Sequence, residues 1–87
     1  MTESEIKQML IDFKYVCGKK QTLKMIIESS ASIGCIVIAQ DAEKQIIQSA
    51  VDLSKMKGVK YYIVSTKKTL GLMANIKIGC SMICFYN

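Results

Sequence analysis

The residues of this chain best suited to chemistry by type and spacing are Gly18-Lys19-Lys20-Gln21-Thr22-Leu23-Lys24. A glycine opens a helix there, and lysines crowd the first turn. A helix start carries free N–H groups and a partial positive charge, both of which favour Asp or Glu over Lys. The arrangement is unfavourable unless an anion covers it. Ammonium groups beside unpaired backbone donors suit phosphate, so the stretch points to nucleic acid or a phosphorylated ligand. A local rule broken in this way marks a functional site. Spacings of three and four residues gather Lys20, Gln21 and Lys24 on the face opposite an apolar stripe of Leu23, Ile26 and Ile27. The plainer reading of those three is a solvated lysine face.

The elements that must hold this stretch fit in one small domain. A chain of 87 residues buries one modest core and is too short for two, so residues 1–87 are read as a single domain. Half of it is apolar, Pro is absent and no low-complexity run occurs. The net charge is +5, from 12 basic against 7 acidic residues, and every basic residue is lysine. Without arginine the usual bidentate reader of guanine and phosphate is missing, but lysine still contacts guanine acceptors or serves as a point charge. From Lys44 onward the only acid is Asp52, so the basic bias lies mainly in the second half. Such a surface suits RNA.

Cysteines stand at 17, 35, 80 and 84 with no CxxC, and histidine is absent. That composition argues against a zinc site, a thioredoxin-like motif and Ser/His or Cys/His catalysis. No catalytic residues, metal or cofactor are expected, and each Cys reads first as a small buried apolar side chain. The N-terminus is acidic and no apolar run approaches the roughly 20 residues that span a bilayer. A cytoplasmic protein with reduced thiols and no membrane partner is the expectation.

Along the chain, Ile6, Met9, Leu10 and Phe13 give one helix face over residues 4–15, with Ser4 as N-cap. Tyr15 to Cys17 is a short strand ending at Gly18. Residues 33–39 form an apolar run suited to a strand buried on both faces. Asp41 then reads as the N-cap of a helix bearing Ile46, Ile47, Ala50, Val51 and Leu53, which stops at Gly58. Val59 to Val64 is another strand, and Ser65 caps a short helix with Leu70, Met73 and Ala74. Asn75 is its left-handed terminator, and Ser81 to Tyr86 is the closing strand. Strands alternating with helices predict an α/β/α sandwich around a mostly parallel or mixed central sheet. Ligands of such folds collect where a strand hands over to a helix, as at Gly18.

The order of three motifs resembles the kink-turn RNA-binding superfamily of ribosomal proteins, the L-seven-Ae, L-thirty-e, S-twelve-e and Gadd group, with the bacterial small-protein branch the nearest match. They are Gly18 to Lys24, Val37-Ile-Ala-Gln-Asp-Ala42, and Leu70-Gly-Leu-Met-Ala-Asn-Ile-Lys-Ile-Gly79. The resemblance covers nearly the whole chain and implies a three-layer α/β/α sandwich with a central mixed sheet. It implies that the helix after Gly18 enters the widened major groove of a kinked RNA at tandem sheared G·A pairs, next to a bulge. Lys20 and Gln21 would match the positions that read guanine edges, and Lys24 the lysine one turn later. Lys19 would flank them, and Gly18 lets the backbone approach closely. Ile76, Lys77, Ile78, Gly79, Cys80 and Ser81 would form the loop that meets the extruded base of the bulge. Ile76 and Ile78 would supply apolar surface there, or else anchor the loop into the core.

Departures from the family pattern change the chemistry. Archaeal members usually present Asn-Glu where this chain has Lys20-Gln21, which replaces a carboxylate acceptor for guanine N–H groups with an amide. Lys77 stands for a commonly acidic residue and Asn75 for a common Gly. The resemblance implies an RNA-binding protein that stabilises kink-turns as a monomer on structured RNA, ribosomal RNA included, and that is ribosome-associated and not an enzyme. Two rivals accompany it. One is a protein-interaction module on the same fold, as in the Gadd branch. The other is a thiol enzyme in which the positive field at the helix start lowers the Cys17 pKa.

Overall fold

The computed structural model describes residues 1–87. Helix α1 (Glu3–Asp12) starts on a capping box, in which the Thr2 hydroxyl accepts from the Glu5 N–H at 3.2 Å and the Glu5 carboxylate accepts from the Thr2 N–H at 3.1 Å. The cap is therefore Thr2, not Ser4, because the carboxylate needed three residues on is Glu5. Ile6 is the fully buried anchor of this helix, and Met9 and Leu10 pack partly beside it. Phe13 lies past its end in extended backbone and is half exposed.

Strand β1 (Lys14–Cys17) leads through Gly18 into α2 (Lys19–Ser29), followed by a turn of 3-10 helix and β2 (Ile33–Ile38). Helix α3 (Lys44–Lys57) ends at Gly58, whose φ of 70° and ψ of 28° give the left-handed terminator that the sequence marks. Its first residues do not use Asp41 as a cap; Glu43 occupies that position without a side-chain bond. Strand β3 (Tyr61–Ile63) is shorter than the apolar run around it. Helix α4 (Lys67–Met73) is capped by Thr66, whose hydroxyl accepts from the Thr69 N–H at 3.2 Å, while Ser65 instead takes a φ of 62° in the turn before it. Asn75 ends α4 with a φ of 60°, as expected of a residue that tolerates this region.

The last strand, β4 (Met82–Tyr86), enters the middle of the sheet, giving the order β1-β4-β2-β3. Its pairings with β1 and β2 are antiparallel and only β2 with β3 is parallel. The sheet is mixed, and the mostly parallel alternative does not hold. Alternation along β2 and β4 divides the core. Cys35, Val37, Ile83 and Phe85 meet Ile6 of α1 and Leu70 of α4 on one face, while Ile36, Ile38, Met82 and Cys84 meet Ile26 of α2 and Ala50 of α3 on the other. Two helices on each side of one sheet make the three-layer α/β/α sandwich. No helix is long and apolar enough to cross a membrane.

Candidate functional site

Helix α2 starts on a residue that only glycine accommodates readily. Gly18 has φ 106° and ψ 153°, and a Cβ placed there would meet nothing within 4 Å. The demand is therefore conformational, not steric. Gly18 donates its N–H to the Met82 carbonyl at 2.9 Å and accepts the first helical bond from the Thr22 N–H at 3.1 Å. No side chain caps the helix and its first turn holds no acid. The backbone donors of that turn thus face outward among exposed Lys19, Lys20, Gln21 and Lys24.

The buried face of α2 differs from the stripe the spacing predicts. Thr22 and Ile26, four residues apart, are fully buried, whereas Ile27 is 57% exposed. The helix turns its 22/26 edge to the sheet, which carries Lys20, Gln21 and Lys24 to the outside. The Thr22 hydroxyl is buried without a partner.

The 76–81 segment comes directly beside this helix start. Cys17, Gly18, Ile76, Ile78, Gly79, Cys80 and Ser81 line one surface pocket of about 220 Å³. Half of the residues singled out by the sequence thereby share a single concavity, and the polar remainder, Lys19, Lys20, Gln21, Lys24 and Lys77, are exposed outside its lining. The two isoleucines take different parts. Ile76 packs against the core and donates its N–H to the Gly71 carbonyl at 2.8 Å, so it anchors the loop. Ile78 is 75% exposed and lines the pocket, so it supplies the apolar contact surface.

The loop is seated closely on α4. A Cβ at Gly71 would run into the Ile78 carbonyl oxygen and lie 3.2 Å from the Gly79 Cα, so glycine is required for close approach of helix and loop. On the other flank Cys80 donates its N–H to the Lys67 carbonyl at 3.0 Å, and its thiol donates to the Met82 carbonyl at 2.9 Å.

Two residues of the site escape the sequence reading. Lys67 opens α4 next to Gly79, with its Cβ 3.2 Å from where a Gly79 Cβ would stand, and its side chain is exposed. Asp41 fixes its backbone: the carboxylate accepts from the Lys67 N–H at 2.8 Å, so the aspartate serves the start of the fourth helix beside the Thr66 cap, not the third. The signal for Lys67 was a second strand-to-helix handover followed by paired lysines, Lys67-Lys68. Nothing local in the sequence connects Asp41 with a residue 26 positions away.

The chemistry available at the pocket is that of contact, not proton transfer. Burial and the neighbouring Cys80 thiol push the Cys17 thiol up to about 12, opposite in direction to the lowering that the lysine-rich helix start would cause. At neutral pH Cys17 is a protonated, poorly nucleophilic thiol. No group of three or more His, Cys, Asp or Glu is placed to hold a metal ion.

Comparison with known proteins places the chain in a family and a fold. Residues 2–86 match the ribosomal protein L7Ae/L30e/S12e/Gadd45 family. The chain is 34% identical over 68 residues to an RNA-binding protein of Caldanaerobacter subterraneus, covering 78% of this chain and 80% of that one. It is 32% identical over 68 residues to an RNA-binding protein of Bacillus pumilus, again over 78% and 80% of the two chains. In three dimensions it is similar to a 15.5kD RNA-binding protein of Giardia lamblia, with a TM-score of 0.79 at 18% identity over 100% of this chain and 77% of that one. A Bacillus halodurans protein of unknown function shares the fold with a TM-score of 0.75 at 14% identity, over 84% and 71%.

Proposed function

Because the chain belongs to the ribosomal protein L7Ae/L30e/S12e/Gadd45 family, we propose that it is a single RNA-binding domain over residues 1–87 that recognises and stabilises kink-turns. One observation carries the reading: the uncapped, lysine-rich start of α2 and the 76–80 loop meet across one pocket, with Gly18 and Cys80 both in its wall. A helix start offering free donors among ammonium groups fits phosphate and base-edge acceptors. A neighbouring apolar pocket edged by exposed Ile78 fits an unstacked base, the feature by which proteins read irregular RNA.

In this mechanism Lys20 and Gln21 contact the edges of sheared G·A pairs from the major groove, and Lys24 follows one turn later. Lys19, Lys67 and Lys77 neutralise phosphates around them. The protein stabilises the kinked RNA because it binds that conformation better than the extended one, and the shift equals the difference in affinity. The RNA-binding proteins among the relatives support RNA as the ligand class. A cytoplasmic, ribosome-associated role without catalysis is consistent with the family and with the protonated Cys17.

The test is a titration against a fluorescent kink-turn RNA beside a matched RNA whose G·A pairs are replaced by Watson–Crick pairs, each at two salt concentrations. Tight binding to the first alone supports kink-turn recognition. Equal, steeply salt-dependent binding to both reduces the site to a charged surface. No binding to either returns the protein-interaction module to first place.

A further inference from the structure

At the opposite end of the sheet, where β2 begins and β4 ends, a second pocket of about 310 Å³ opens between α1 and the sheet. This volume is at the small end of the range that holds organic ligands, roughly 300 to 1,000 Å³. Its wall is apolar and aromatic, including Met9, Phe13, Tyr62 and Phe85, and its lining includes one lysine, Lys60, and no Asp or Glu side chain.

Gly34 is the unexplained residue of this pocket. A glycine inside a strand weakens it. The register of β2 on β4 shifts between Ile33 and Cys35, so Gly34 stands at a bulge, yet its φ lies outside the left-handed region that favours glycine. A Cβ there would meet only the Phe85 carbonyl oxygen at 3.6 Å, an ordinary contact. Neither backbone nor packing requires glycine. What its missing side chain leaves at this bulge is open space at a pocket-lining position, room that a ligand ring can occupy.

We propose that this pocket binds a small aromatic carboxylate, with the ring seated over Gly34 between Met9, Phe13 and Tyr62 and the carboxylate at the Lys60 ammonium. Aromatic walls favour an offset or edge-on ring. Methionine adapts its unbranched chain to the ligand's outline. Phe13, half exposed, offers ring surface at the edge of the pocket. Lys60 is an exposed residue of the pocket lining, so its ammonium is available at the pocket mouth. This site is independent of the RNA reading and shares no residue with the first pocket.

The probe is indole-3-acetate, with indole-3-acetamide as its uncharged counterpart, each titrated into the full-length protein while backbone amide resonances are followed. Saturable shifts centred on Gly34, Cys35, Lys60, Tyr62 and Phe85 are expected. The acid binds about 5-fold more tightly than the amide, the size of one partly solvated charge pair. Lys60→Gln abolishes that preference, and Gly34→Leu abolishes binding of both probes. RNA affinity is the same in both variants as in the parent. Should Gly34→Leu fail to fold, the exposed Lys60→Gln still decides the matter. Unsaturable or scattered shifts, equal affinity for acid and amide, or an undiminished preference in Lys60→Gln would overturn the proposal.

Discussion

Gly18 and Cys80 share one acceptor: the Gly18 amide and the Cys80 thiol both donate to the Met82 carbonyl, each at 2.9 Å. That carbonyl joins the start of α2 to the loop ahead of β4, so the two halves of the proposed RNA surface are fixed relative to each other by the central strand. Gly71 and Lys67 hold the far side of the same loop. The backbone of the proposed surface is thus held by the fold itself.

Gln21→Ala and Lys24→Ala are each expected to lose roughly 1 to 3 kcal/mol of kink-turn affinity, the range for a side chain that contacts a base edge. Both residues are exposed, so stability should change by less than about 0.5 kcal/mol. Unchanged affinity in both variants, measured by titration alongside thermal unfolding, would remove the α2 face from the site.

Gly18→Ala is expected to cost about 1 to 3 kcal/mol of stability, because alanine must occupy a backbone region that is nearly exclusive to glycine. The open space around the position means that no clash contributes. Chemical denaturation gives the number, and parental stability would show that the helix start adopts another geometry readily.

Gly71→Ala probes the loop from beneath. The added methyl collides with the Ile78 carbonyl, so the 76–79 segment must lift from α4. Weaker RNA binding is expected even at temperatures where the variant remains folded, in contrast to Leu72→Ala one residue on, whose side chain is exposed. Equal RNA binding by the two folded variants would separate the loop from recognition.

Alkaline pH should destabilise the fold through its buried thiols. Burial raises Cys84 from 9.0 to about 11, with the nearby Cys35 thiol adding to the rise. The unfolded chain therefore releases this proton first. The stability associated with the neutral buried thiol is full below pH 9 and is lost progressively as pH rises toward about 11. Cys84→Ala should show a lower melting temperature at pH 7.5 but a shallower decline above pH 9. Parallel declines in the two proteins would place the alkaline transition on other groups.

Local conformational signals proved the most legible part of the sequence. Gly58 and Asn75 each mark a helix end that needs positive φ, and each adopts it; the positive φ of Gly18 emerges only in the structure. The apolar run at 33–39 became a strand in the sheet interior because both its faces meet helices. Caps were less legible where two candidates stand close together, Thr2 and Ser4 before α1 and Ser65 and Thr66 before α4. Only the three-dimensional path selects Thr2 over Ser4, or Thr66 over Ser65. Asp41 was misassigned for a different reason: its partner, Lys67, arrives through tertiary folding. Strand direction was equally hidden, because hydrophobic alternation does not reveal whether β4 runs parallel or antiparallel to β2. At the site, the α2 motif and the 76–80 loop could be read as separate signals, whereas their convergence on Met82 could not.

The central claim is that the start of α2 and the 76–80 loop act as one RNA-binding surface. The most direct measurement is an amide chemical-shift map of the protein with and without a kink-turn RNA. The largest changes are expected to cluster at residues 18–24, at 76–80 and around Lys67, with the α1 end of the sheet near Gly34 unmoved. Changes spread over the lysines of α3, or confined to the Gly34 end, would contradict it.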